Sequence, residues 1–173
     1  MVTNGHNGNF EKDLPTEVID LVFPITQCQS LPYYPYATHG SAMGYLKDVD
    51  NPSICGGLGY SENGNHQDAC YKIDLETSKF IEDEPLIYPR VYSGGSFVGE
   101  GIFFSGGYPL GSNASKTTER ILDHGKRHEL GPDLPIPRRS HCSVSDMGNQ
   151  VIGHSGWLLS KRGQSKYLFT SYL

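Results

Sequence analysis

GIFFSGGYPL, from Gly101 to Leu110, decides how this chain is to be read. The apolar run Ile102-Phe103-Phe104 passes through Ser105 straight into the doublet Gly106-Gly107. Glycine packs nothing in a strand, so a doublet at its end needs a backbone reason: positive φ, a bulge, or close approach by another backbone. The doublet recurs. Gly56-Gly57 follows PSIC, and Gly57 to Gly107 is a step of 50 residues. A degenerate third copy, Ser155-Gly156 in QVIGHSGW, puts Gly156 49 residues beyond Gly107. Repetition at this period is the mark of a propeller built blade by blade.

Other landmarks keep step. A Pro-initiated segment precedes each copy: PYATHGSAM from Pro35, PRVYSGGSF from Pro89 and PRRSHCSVS from Pro137. Counted from that proline, the fifth residues are His39, Ser93 and His141, which assigns the two histidines one repeat position and a packing role near the hub. The first copy is longer, and the surplus is read as LKDVDNP, a charged hairpin tip where insertion costs little. After each doublet comes a polar loop, then an alternating run: ACYKIDLETSKF in the first copy, TERILDHGKRHEL in the second. Asp74 and Asp123 each precede a turn between half-buried strands.

In these residues the chain resembles the kelch-repeat family, from about residue 17 to 173. That resemblance implies blades of four antiparallel strands, the first opening near a Pro-Arg pair and the second ending in Gly-Gly. Pro89-Arg90 and Pro137-Arg138 match the Pro-Arg mark, whereas Tyr36 stands in place of Arg in the first copy. Phe80 stands where the family prefers Trp, and His128 or Glu129 stands there in the second copy. ICGG, a loop, then CY, with Cys28 ahead of Leu-Pro, looks more narrowly like the kelch-type repeats of invertebrate extracellular proteins. The expected fold is all-β: a partial kelch-type propeller of about three four-stranded blades plus leading strands. Residues 1–16 read as a flexible polar lead-in and 17–34 as the end of a preceding blade; 35–86 and 87–136 read as blades, and 137–173 as an incomplete one.

Composition agrees. The 173 residues include 21 Gly and 11 Pro, with only 19% charged, as short strands joined by many turns require. The net charge of −5 argues against a nucleic-acid partner. No apolar run approaches the ~20 residues of a membrane helix. The first residues, MVTNGHNGNFEKDL, lack the apolar core of an export signal. Localisation stays open: extracellular if a signal lies upstream of the recorded start, otherwise cytoplasmic. Propellers close with about 4–8 blades, so the chain reads as a fragment, as an open arc, or as half of a six-bladed ring. An unclosed blade would also invite self-association.

Four cysteines occur, none in a C-x-x-C pair. Cys55 and Cys70 flank one loop on strands expected to be neighbours, so they are a candidate disulfide in an oxidising compartment or buried thiols elsewhere. Cys28 and Cys142 are a second pairing that nothing in their spacing favours. His124 and His128 are four apart, but hairpin context removes the helical meaning of that spacing, and no metal site is expected. Arg138-Arg139 with Lys161-Arg162 reads as a solvated basic face. Asn113-Ala114-Ser115 is a glycosylation triplet in a loop.

The glycines Gly56, Gly57, Gly106, Gly107 and Gly156 are therefore structural, and no cofactor or catalytic residue is expected. The expected function is a non-enzymatic protein-interaction module binding another protein through the rim loops Leu58–Asp68, Tyr108–Thr117 and Leu158–Gln164. One alternative is a secreted or cell-surface disulfide-bonded propeller with a carbohydrate or matrix role. Another is a fragment of a galactose-oxidase-like enzyme, whose two His, Tyr ligand and Tyr-Cys crosslink have no visible motif here.

Overall fold

A computed structural model describes residues 16–18, 29–31, 33–35, 38–45, 52–59, 68–74, 76–98, 101–109, 111–122, 127–145, 152–159 and 165–170. All regular elements among them are strands: β1 Thr16–Val18, β2 Gln29–Leu31, β3 Thr38–His39, β4 Ala42–Tyr45, β5 Pro52–Cys55, β6 Leu58–Gly59, β7 Cys70–Asp74 and β8 Lys79–Asp83. They continue with β9 Gly94–Val98, β10 Gly101–Ser105, β11 Thr118–Leu122, β12 Arg127–Leu130, β13 His141–Ser145, β14 Ile152–Leu159 and β15 Ser165–Thr170. No helix among the described residues is long and apolar enough to cross a membrane.

Two antiparallel sheets have four strands, in the orders β4-β5-β7-β8 and β9-β10-β11-β12, and a third has three, β13-β14-β15. The short pair β1-β2 precedes them. The first strands β4, β9 and β13 lie against one another in succession, which stacks the sheets side by side as blades. This is a partial β-propeller. The second strands β5 and β10 are covered on both faces and buried almost throughout, while the outer strands β8 and β12 are largely exposed and charged.

The doublets end β5 and β10 by reversing the sign of φ: Gly56 and Gly57 take +68° and +99°, Gly106 and Gly107 take +59° and +81°. Close approach adds a second constraint. A Cβ on Gly106 would meet the Arg138 carbonyl oxygen at 2.5 Å, and one on Gly107 the Val91 carbonyl oxygen at 2.9 Å.

The register of the repeats departs from the one counted on prolines. Ala42 pairs with Cys55 and Gly94 with Ser105, the last pair before the glycine turn in the first two blades, and Cys142 pairs with Ser155 in the third. Gly40, Tyr92 and Ser140 then share one position, all with positive φ. Tyr92 N–H donates to the Gly40 carbonyl (2.7 Å) and Ser140 N–H to that of Tyr92 (2.8 Å). His39 therefore aligns with Val91 and Arg139, not with His141, and Thr38 rather than Tyr36 stands where Arg90 and Arg138 stand. The surplus of the first copy is shared between the β4–β5 connection and the segment after Pro35.

The third doublet is likewise Gly156-Trp157. The expectation that Ser155-Gly156 ends a strand is corrected, because β14 runs through both residues to Leu159 and pairs on to β15. Trp carries a Cβ where the other copies have their second glycine, so positive φ is disfavoured and the ladder continues. His128 is the counterpart of Phe80, each opposite an isoleucine on the third strand. His124 and Asp123 lie outside the described residues.

The joint between the first two blades is apolar. Ala42, Cys55 and Cys70 of the first blade pack on Ile102, Phe104 and Ile121 of the second, with Leu86 between them. Among the described residues, polar groups of the second and third blades also meet: Ser105 Oγ lies 3.1 Å from His141 Nε2 and 3.2 Å from Ser143 Oγ.

At the far end of the first blade Asp74 closes the β7–β8 turn. Thr77 donates from Oγ1 to Oδ2 (2.6 Å) and from N–H to Oδ1 (3.2 Å), and Glu76 N–H donates to Oδ1 (2.9 Å). The Thr77 bonds, then that of Glu76 and the Lys79 charge, hold the Asp74 carboxyl below the ordinary aspartate range against slight desolvation. A depressed folded pKa means the turn's contribution is complete above the unfolded value, about 3.9, and is lost as pH falls through the folded one. An NMR titration should place the Asp74 midpoint below that of the urea-unfolded chain, and Thr77→Val should move it back up.

Candidate functional site

In an antiparallel meander of four strands, the second-to-third connection and the link to the next blade leave from the same end. The post-doublet loops and the Pro-containing links therefore share one rim. There they pair with each other: β3 with β6 in the first repeat, and Val91 with Tyr108 in the second through reciprocal N–H···O bonds of 2.9 and 3.1 Å. Ser115 N–H donates to the Gly107 carbonyl (2.7 Å) and Arg138 N–H to that of Ser115 (3.0 Å), which ties the 108–115 loop to the following link.

Arg90 locks this arrangement from below. Its carbonyl accepts from Gly57 N–H (2.7 Å), the second glycine of the preceding blade. Its guanidinium reaches forward to the Gly106 and Thr117 carbonyls (2.6 and 2.8 Å from Nη1) and to Glu119 (Nε to Oε1, 2.7 Å). The other Glu119 oxygen accepts from Ile87 N–H (2.7 Å). The first repeat has no such pair: Thr38 and Tyr71 hold the two positions, and Tyr71 packs edge-on against Tyr34 at 5.3 Å.

On this frame four side chains form a ladder across three links and loops. The His39 and Tyr92 rings are 5.6 Å apart, Tyr92 and Tyr108 are stacked at 6.0 Å and 24°, and the Arg139 guanidinium lies 5.0 Å over the Tyr108 ring. All four are half-buried. Tyr92 stands in the left-handed region at φ +55°, an outlier for a bulky residue, at a position the first repeat fills with Gly40. Gly40 also makes room, since a Cβ there would meet the Tyr92 ring at 2.7 Å. Such strain, about 1–3 kcal/mol, collects at binding sites.

Of the three expected rim loops, Tyr108–Thr117 is described apart from Leu110 and contributes Tyr108; most of the other two lies outside the described residues. The repeat glycines Gly56, Gly57, Gly106 and Gly107 lie beneath the ladder and shape the turns. Cys55 and Cys70 sit opposite each other on β5 and β7, are fully buried, and are joined by a disulfide. Cys142 is an exposed free thiol, and Cys28 lies outside the described residues. His39 and Arg139 were read in the sequence as packing and as solvated charge, and Tyr92 drew no attention. The usable signal was a tyrosine aligned with glycine and serine, which requires the corrected register.

No family model matches the chain. Over 108 residues it is 32% identical to Kelch repeat and BTB domain-containing protein 2 of Cowpox virus (strain Brighton Red), a match covering 62% of this chain and 19% of that protein. It superimposes on the solved structure of YjhT, a kelch-type propeller, with a TM-score of 0.65 and 15% identity, over 84% of this chain and 46% of that one. The chain thus spans under half the length of either protein. The superposition, together with the blades described above, makes this a partial β-propeller fold, and the sequence match is to a kelch-repeat protein.

Proposed function

We propose that the chain is a non-enzymatic protein-interaction module whose rim, centred on the His39–Tyr92–Tyr108–Arg139 ladder, docks another protein. The observation that carries this is Tyr92 at positive φ with its ring stacked on Tyr108. A fold that needed only a tight turn there has glycine available, as at Gly40. Tyrosine and arginine are also the residue types that dominate binding energy at interfaces, because they bring large, stiff surfaces with a polar end. The likeness to a kelch and BTB protein supports an interaction role.

The test uses the immobilised chain as bait, with captured proteins identified by cross-linking mass spectrometry. Tyr108→Ala or Arg139→Ala should weaken capture of the specific partner about 30-fold, the equivalent of a 2 kcal/mol hot spot. Glu76→Ala, in the turn at the opposite end of the first blade, should leave capture unchanged. A partner retained by both rim variants, or released equally by Glu76→Ala, would refute the reading.

A further inference from the structure

We infer that Asn113 is an acceptor for N-linked glycan, and that the chain matures in an oxidising secretory compartment. Two independent observations meet here. The first is the triplet Asn113-Ala114-Ser115 on the rim loop. A turn projects the loop tip, with Ser112 N–H and Oγ both donating to the Pro109 carbonyl (3.0 and 2.9 Å), and residues 111–113 are exposed. A Cβ built on Gly111 would meet nothing within 4 Å, so the space beside the tip is open to a bulky group. Asn-Pro-Ser at residues 51–53 fits the pattern only with the excluded proline, which leaves Asn113 as the one acceptor in the sequence.

The second observation is the Cys55–Cys70 disulfide. Such bonds persist in secreted proteins and are rare where thiols are kept reduced. The same compartment supplies the glycan donor. In the transfer, the Asn113 side-chain nitrogen forms a bond to the anomeric carbon of an oligosaccharide carried on a lipid pyrophosphate. The sugar–phosphate bond breaks, the lipid pyrophosphate leaves with the electron pair, and the amide gives up one proton. In the folded loop the Ser115 hydroxyl is engaged by Thr117, at 2.8 Å from Oγ1 and 3.0 Å from N–H. The triplet is therefore read before the loop closes, and closure leaves the modified Asn113 outside.

This inference stands apart from the docking reading and is tested on the chain isolated from its own cells. Peptide N-glycosidase in heavy-oxygen water, followed by trypsin, should convert Asn113 in the 91–116 peptide to a heavy-oxygen-labelled aspartate. Alkylation in denaturant, before and after reduction, should modify Cys55 and Cys70 only after reduction. The Asn113→Gln variant, expressed in the same cells, should lose the glycan mass while keeping the wild-type unfolding midpoint. An unlabelled Asn113 peptide, or Cys55 and Cys70 alkylated without reduction, would overturn the inference.

Discussion

Arg90→Ala should lower the unfolding free energy by about 3–5 kcal/mol, the cost of stranding one partner of a buried ion pair. Arg90 is 1% exposed and Glu119 0%, so a lone Glu119 carboxylate would have no water to turn to. The loss is a large share of the roughly 5–15 kcal/mol that holds a domain of this kind. It is not purely electrostatic. The Gly106 carbonyl would also lose its Arg90 donor, at about 1–3 kcal/mol for a buried acceptor left unmet, whereas the Thr117 carbonyl keeps the Gly106 N–H (3.0 Å). The double variant Arg90→Met, Glu119→Leu removes both charges and should recover part of the loss, but not all, because the Gly106 carbonyl and the Ile87 N–H lose their partners. Urea unfolding of the wild type, both single variants and the double variant gives the cycle. An Arg90→Ala chain within about 1 kcal/mol of wild type would show that the clip between successive blades is not what holds them.

Reduction of the Cys55–Cys70 bond should cost about 3 kcal/mol, the loop-closure value for the 15-residue separation between the cysteines. The second blade supplies its own control, since Ser105 and Thr118 hold the matching positions in β10 and β11. Cys55→Ser with Cys70→Thr copies that blade into the first. The variant should unfold at lower urea than the oxidised wild type and at a midpoint indifferent to reductant. Wild type should fall toward it when dithiothreitol is added. Equal midpoints for oxidised and reduced wild type would remove the disulfide from any account of stability.

The blade architecture was legible because each doublet marks a physical necessity. The run from Gly101 to Gly107 is apolar on both faces where neighbouring blades cover it, and bare where the backbone must turn against Val91 and Arg138. The ladder was not legible, because proline is a poor ruler. Pro35 lies five residues before Gly40, whereas Pro89 and Pro137 lie three before Tyr92 and Ser140, and this slip placed His39 beside His141. Trp157 misled in the same way: Ser155-Gly156 looks like a worn doublet, but pairing shows the second glycine replaced and the strand running on. The disulfide stayed undecided because repeats inform only on what they share, and Ser105 and Thr118 share nothing with a cystine. Tyr92 stood out only once its neighbours in register were known to be glycine and serine.

The apolar seam between the first two blades has a mechanical consequence. When adjacent modules interact only with their neighbours, cohesion is a chain of separate terms and failure begins at the smallest. Ile102 and Phe104 seat against Ala42 and the cystine by excluding water, a cohesion that solvent cannot replace. Under load or denaturant, the sheets β4-β5-β7-β8 and β9-β10-β11-β12 therefore hold to one another until water reaches that seam, and up to that point they move as one body.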